Sequence, residues 1–116
     1  MKKHLYTGED FKVIFRSNNF KIGVLKHSDR FSFLSVAERH LTSREFFVLL
    51  SGTAVIYAGD DYTAMKKSVM KINTVYEVSE GEWHHITVSA DATVLVIENA
   101  DVSPDNTEKI NLTEGI

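Results

Sequence analysis

Short runs rich in Val, Ile, Phe, Tyr and Thr recur every eight to twelve residues along the chain, with Gly, Asn, Asp and Ser between them. A helix needs about ten or more residues of 3.6-residue periodicity, so this rhythm restricts the chain to short strands. Strands are predicted near 12–16, 20–25, 31–38, 45–50, 53–57, 74–78, 85–88 and 93–98. Asn18-Asn19, Ser51-Gly52, Gly59-Asp60-Asp61, Glu80-Gly81 and Ala90-Asp91 supply the turns, because such residues tolerate the positive φ of a tight turn. Eight or so short strands in 116 residues imply a closed barrel or a sandwich, which leave few free sheet edges. The length suits a single domain, residues 1–116, with one core. Near the end, Ser103-Pro104-Asp105-Asn106 predicts a short helical turn, with Ser103 as N-cap and Pro104 at the first position.

Successive side chains of a strand point to opposite faces. Leu34, Val36, Glu38 and His40 therefore share one face, and Glu45, Phe47 and Leu49 share one on the next strand. Both rows are apolar at depth and ionisable at one end. Two antiparallel neighbours would bring Glu38, His40 and Glu45 into one cluster above an apolar floor. Desolvating such groups is costly unless a metal, a proton-transfer role or solvent compensates them. The other face of the second strand, Phe46, Val48 and Leu50, is also apolar and calls for a cover, either a second sheet or a partner subunit. A second ionisable spot, Glu80-Gly81-Glu82-Trp83-His84-His85, lies where one predicted strand ends and another begins. Alternation sends only one of the two histidines inward.

The 13 basic and 16 acidic residues give a formal charge of −3. With no basic cluster beyond Lys66-Lys67, nucleic acid is not an expected partner. No segment approaches membrane-spanning length and no early apolar run suits a signal sequence, so no membrane partner is expected and the cytoplasm is the expected location. Cysteine is absent, which excludes thiolate catalysis and leaves His, Asp and Glu to hold any metal.

The two ionisable segments resemble the motifs of the cupin superfamily, small β-barrels of the jelly-roll type. The family's first motif ends in His, four residues, Glu, six residues, Gly, a spacing matched by His40, Glu45 and Gly52. Its second contains Gly, two residues, His, matched by Gly81 and His84. The motifs run over about 38–52 and 73–88. Glu38 stands where the family usually has a histidine, Ser79 where it has a proline, Asn73 where a glycine is common and Val88 where an asparagine is often found. The resemblance implies an all-β, single-domain cupin (jelly-roll) barrel with a short C-terminal helical turn, forming a homodimer. It also implies a divalent transition metal (Fe, Mn, Ni or Zn) held by Glu38, His40, Glu45 and His84, with open positions for water or a small-molecule ligand. His40 and His84 are then the candidate catalytic residues of a metal-dependent oxygenase or isomerase.

Other readings share these residues. Glu38, with Arg39 and Arg44 nearby, also fits a solvated ion-pair rim in a barrel without metal. Lacking an ion, one of the clustered carboxylates must carry a raised pKa or turn outward. The run WHHITVSADATVLVIEN also resembles sugar-nucleotide ketoisomerases, cupin enzymes in which His40 or His84 would be the base, tuned by Glu45. That match implies a metal-free isomerase or epimerase, although basic residues to hold a nucleotide diphosphate are not evident. WHHI after a glycine resembles ureidoglycolate lyases over a few residues. A non-catalytic ligand-binding barrel is the remaining alternative. His85 is expected to face outward or donate at the pocket rim, and Trp83 to cover the pocket mouth or anchor its hairpin. His4 and His27 are expected at the surface, and Met65 and Met70 as packing around a loop.

Overall fold

Alternating burial organises the chain into strands β1 (Phe11–Arg16), β2 (Phe20–Lys26), β3 (Val36–His40), β4 (Glu45–Ser51), β5 (Ala54–Gly59), β6 (Lys66–Val69), β7 (Val75–Val78), β8 (Trp83–Val88), β9 (Thr93–Asn99) and β10 (Thr107–Asn111). The structure is a computed structural model that describes residues 1–113, so residues 114–116 of the expected domain lie outside the described residues. The strands pair into two five-stranded antiparallel sheets, ordered β1-β2-β9-β4-β7 and β10-β3-β8-β5-β6. The sheets pack face to face as a jelly roll. No described helix is long and apolar enough to cross a membrane.

β4 and β9 show why the sheets stack. Glu45, Phe47 and Leu49 are buried, whereas Phe46 and Val48 are half-buried and Leu50 is exposed. On β9, Val94, Val96 and Glu98 are buried between half-buried neighbours. These inward rows meet Ala54 and Ile56 of β5 and Ile86 and Val88 of β8 in one core, joined by Leu25, Phe31, Met70 and Val78. Removing a large apolar side chain from water contributes roughly 1.5–3 kcal/mol. The inner faces are therefore the main force holding one sheet to the other.

Three elements differ from the sequence-based expectation. The strand predicted over 31–38 begins only at Val36, because Asp29–Phe31 forms a 3-10 turn that plants Phe31 in the core. The Ser32 hydroxyl donates to the Asp29 carbonyl at 2.7 Å, a local bond that competes with a strand ladder. β6 and β10 were not predicted, since Lys66-Lys67-Ser68-Val69 and Thr107-Glu108-Lys109-Ile110-Asn111 lack apolar alternation. Both are edge strands, where charged side chains discourage pairing with another chain. The turn predicted at Ser103 is a 3-10 turn, Pro104–Asn106, closed by a capping box between Ser103 and Asn106. It delivers the chain into β10, which pairs along all of β3 and sets Thr107 opposite His40 and Lys109 opposite Glu38.

Two turn positions depend on left-handed backbone. Gly52 has φ +75°, and a Cβ there would lie 2.6 Å from Ala92 Cα and 2.7 Å from Ala92 N. Asn73, in the place where cupins often have glycine, takes φ 61°; asparagine is among the few other residues that do so at low cost. Replacing Gly52 by Ala should lower stability by at least about 1–3 kcal/mol, from strain and from the Ala92 clash together. Asn73→Gly should leave it nearly unchanged. Urea unfolding midpoints of the two variants give the comparison.

Candidate functional site

The site is assembled by cross-strand register. In the first sheet, Lys21, Glu98 and Glu45 are direct neighbours on β2, β9 and β4. In the second sheet, His84, Glu38 and Lys109 are neighbours on β8, β3 and β10. The rows meet at one end of the barrel, and His40, two residues beyond Glu38, joins them there. Two carboxylates directly opposite each other on adjacent strands repel. Glu45 and Glu98 are thus tolerated only through the groups around them.

Glu45 lies at the centre. His84 Nε2 is 2.7 Å from Glu45 Oε1, and His40 Nε2 is 3.3 Å from Glu45 Oε2. His40 Nε2 is also 3.5 Å from Glu38 Oε1 and 3.5 Å from Glu98 Oε2. His40, Glu45 and His84 are buried, and one donor atom from each falls within 4.8 Å of the others, a group that could hold a metal ion.

The far sides of the two imidazoles are anchored. His84 Nδ1 is 3.1 Å from the Glu82 carbonyl. A carbonyl only accepts, so Nδ1 carries the proton and Nε2 is directed at Glu45. His40 Nδ1 is 2.9 Å from the Thr107 hydroxyl. Backbone bonds fix the same arrangement: the Gly81 N–H donates to the His40 carbonyl at 2.8 Å, tying the second motif to the first. The Ser43 hydroxyl oxygen accepts the Asn99 N–H at 3.0 Å, holding the turn before Glu45 against the end of β9.

Above this cluster opens a cavity of about 470 Å³, with apolar walls that include Phe11, Leu25, Phe31, Phe47 and Val96. Its size is within the range of small-molecule sites, roughly 300–1,000 Å³.

The protonation pattern is polarised. Burial, then the hydrogen bond and charge of Glu45, push the Glu98 carboxyl up to about 9, against the pull of Lys21. Burial works against the Glu45 charge too, but hydrogen bonds from His40, His84 and Glu98 outweigh it and hold Glu45 far below the usual carboxylate range. The two acids therefore share one proton, which resides on Glu98. Burial alone would lower His84, yet its bond to Glu45 and the Glu45 charge raise it. Lys21 is itself buried; its Nζ donates to the Val102 carbonyl at 2.8 Å and lies 3.5 Å from Glu98 Oε1.

No family model and no curated protein matches the chain. Solved structures do. BH2720 from Bacillus halodurans aligns with a TM-score of 0.66 at 10% identity, over 82% of this chain and 73% of that one. A Streptomyces Pac13 variant with uridine aligns at 0.56 and 14% identity, over 96% and 93%. KdgF from a Halomonas species aligns at 0.59 and 8% identity, over 87% and 90%. All are jelly-roll barrels of the cupin type. The chain has a cupin-type fold. At these identities the likeness carries the fold alone.

The structure brings together His40, Glu45 and His84, with Glu38 at the rim, where 26% of its side chain is exposed. The ion pairs considered for Glu38 are not formed. Arg39 bonds Glu108 and lies over the Trp83 ring, and Arg44 pairs with Glu77. Lys109 Nζ is the cation near Glu38, at 3.7 Å. Of the two placements expected for His85, the outward one is not seen. His85 is buried and lines the cavity, its Nε2 donating to the Phe33 carbonyl at 3.1 Å, where the segment before β3 packs across that side of β8. Trp83 does not line the cavity; it is buried beside Tyr62, ring edge to face, and anchors its hairpin.

Glu98, Lys21 and Thr107 were missed in the sequence. Glu98 was within reach, since alternation through Val94 and Val96 points it inward. Thr107 depends on β10, which carries no apolar pattern, and nothing in FKIGVLK marks Lys21 as buried.

A pH dependence follows for the metal-free protein. Glu98 binds its proton more tightly folded than unfolded, so its contribution is complete below about 4.5 and is lost as pH rises toward 9. His84, also raised, loses stability in the same direction above 6.5. Chelator-treated protein should therefore melt at progressively lower temperature between pH 7 and pH 9. Glu98→Gln, which stays neutral, should flatten that slope; an unchanged slope in this variant would contradict the assignment.

Proposed function

We propose that this cupin is a single domain that binds a divalent transition metal (Fe, Mn, Ni or Zn) through His40, Glu45 and His84, takes a small molecule into the cavity above it, and acts as a metal-dependent oxygenase or isomerase. The observation that carries the reading is the convergence of two imidazole Nε2 atoms on one buried carboxylate, while both Nδ1 atoms are engaged elsewhere. Donors bound to one ion at about 2.1 Å lie roughly 3 Å apart, and the 2.7 and 3.3 Å spacings are close to that. Imidazoles held from behind by a carbonyl and a hydroxyl match the outer contacts that metal-ligating histidines make. The donor set therefore fits a divalent ion, with Glu38 as a fourth ligand from the rim.

When bound, such an ion supplies Lewis acidity toward a carbonyl or hydroxyl oxygen of the ligand, or a site for O₂ if it is iron. The chain's own residues supply the rest. Glu98 holds a proton beside Glu45, with its Oε2 3.5 Å from His40 Nε2. Phe31 and Phe47 line the cavity and exclude water from the reacting end.

A second reading, a metal-free isomerase or epimerase, is favoured by one specific observation, the proton-sharing Glu45–Glu98 pair beside two histidines. That is acid–base equipment without a metal. The similarity to Pac13, a nucleoside dehydratase, adds elimination to the reactions such a pocket would run. A non-catalytic ligand-binding barrel would use the same cavity without the chemistry.

We also read the protein as a cytoplasmic homodimer, joined through the outer face of the first sheet. Cross-strand register aligns Phe15, Ile22, Ile97 and Phe46 in one row there, and Val24, Leu95, Val48 and Val75 in the next. Val75 is 61% exposed. An apolar sheet face of this kind is self-complementary across a two-fold axis. Sedimentation equilibrium should give twice the chain mass, and Val75→Glu should shift it toward the monomer without loss of fold.

Protein purified without chelator should carry close to one transition-metal ion per chain by elemental analysis, and His84→Ala or Glu45→Ala should abolish it while the β-sheet circular dichroism persists. Thr107→Val should weaken metal affinity by roughly 10–100-fold through the loosened His40 ring. Absence of metal after supplementation with all four ions would reject the first reading in favour of the second.

A further inference from the structure

The cavity's rim carries an arginine that the proposed metal site does not use. Arg30 lines the cavity from the 3-10 turn before β3, with its guanidinium stacked 4.4 Å from the centre of the Phe31 ring. Among the described residues its guanidinium makes no hydrogen bond, and its only carboxylate neighbour is Asp10, at 3.9 Å. Asp10 accepts from the Phe11 N–H at 2.8 Å and the Ser28 hydroxyl at 3.2 Å, and at 3.9 Å it is a long, weak partner for Arg30. The other arginines differ. Arg16 donates to the Ala100 carbonyl, Arg39 to Glu108, and Arg44 pairs with Glu77 at 3.3 Å. Of the four arginines only Arg30 lines the cavity, and its guanidinium sits over the Phe31 ring with no hydrogen bond on its donors, which leaves the fork able to take a carboxylate.

The remaining walls select the size and charge of the ligand. Phe11, Leu25 and Phe31 give the cavity apolar wall, with Arg30 over Phe31, and the His40–Glu45–His84 group lines the same cavity. The second rim cation, Lys109, already faces Glu38. Glu38 and Glu45 both line this cavity, while Glu98 holds its proton, so the Arg30 fork suits a ligand that brings a single negative charge. A nucleotide diphosphate, with two or more charges, would meet uncompensated repulsion.

We propose that the ligand of this cavity is a small organic carboxylate, with its carboxylate on the Arg30 guanidinium, its apolar body against Phe11, Leu25 and Phe31, and its opposite end at the His40–Glu45–His84 group. The proposal rests on the cavity being the ligand site and names what fills it. Arg30 is thus a substrate-binding residue that sets specificity for the anion, while the buried cluster acts on the other end of the molecule.

The test is a binding series on the full chain, by calorimetry and thermal shift, with phenylpyruvate, phenylacetate and hexanoate as carboxylate probes. Methyl phenylacetate is the neutral counterpart, benzyl phosphate the dianionic one and uridine diphosphate the nucleotide. At least one carboxylate should bind, more tightly than the ester, the phosphate or the nucleotide. Arg30→Gln should weaken that binding by roughly tenfold or more, consistent with a charge-assisted hydrogen bond of about 1.5–3 kcal/mol. Arg30→Lys should recover part of it. Mn²⁺ titration of the same variants separates the two ideas. Unchanged metal stoichiometry in Arg30→Gln with lost carboxylate binding supports the proposal, and Arg30-dependent carboxylate binding without any metal uptake supports it while defeating the metal reading. Three results overturn it: no carboxylate bound at millimolar concentration, Arg30→Gln binding as tightly as the native chain, or tighter binding of the ester, benzyl phosphate or uridine diphosphate.

Discussion

Everything at the open end of this barrel depends on keeping the buried Glu45 carboxylate ionised. A lone carboxylate in such surroundings would neutralise itself, because burial disfavours its charge more than any other single effect acting on it. It stays charged because His84, His40 and the protonated Glu98 all direct hydrogen-bonding groups at it. That requirement propagates outward. His84 must be held by the Glu82 carbonyl and His40 by Thr107, or the imidazoles would rotate away. The turn at Gly81 must in turn be tied to His40, and the Ser43 turn to Asn99.

The means of delivery is strand register rather than sequence proximity. Lys21, Glu98 and Glu45 come from three segments far apart in the chain, yet they are consecutive rungs of one sheet. His84, Glu38 and Lys109 are consecutive rungs of the other. A slip of one residue in any of these pairings would turn the ionisable group to the outer face and bring an apolar neighbour in. The apolar rows beneath, from Phe47 and Leu49 to Val94 and Val96, make such a slip expensive, since each step would expose side chains that now form the core. Core and site are therefore specified by one alternation, with the polar end of each row as the functional one.

This explains what the sequence disclosed. Strong alternation in β4 and β9 made the barrel legible, and the motif spacing pointed to His40, Glu45 and His84. The Ser103-Pro104 turn was readable because its capping chemistry is local. Hidden were contacts whose physics is not local. β10 is polar since one edge faces solvent, so neither the strand nor the Thr107 support for His40 showed in the pattern. Lys21 is buried only because Glu98 and the Val102 carbonyl await it from other segments. For His85 the sequence left two placements open, because alternation says which face a side chain takes, not what later packs over that face. Here the chain before β3 does, and its Phe33 carbonyl meets the imidazole.

Glu38 is the place where the chain departs from the motif it otherwise keeps, and β10 gives the departure a physical context. An acid in the usual histidine position adds a negative charge to a site that already contains Glu45 and Glu98. Lys109 is its direct cross-strand partner, with Nζ 3.7 Å from the carboxylate, so the added charge arrives with a counter-charge on the neighbouring rung. A half-exposed pair of this kind contributes little to stability, and its consequence lies in the field of the site. A histidine at position 38 would leave Lys109 without that counter-charge on the cavity, a second cation to add to Arg30. With Glu38 present, Lys109 is paired, and Arg30, with Asp10 only at 3.9 Å, remains the cation turned toward the ligand. The residue at which this chain departs from the motif therefore bears on more than the donor set of the pocket: it also narrows the charge that the cavity can accept.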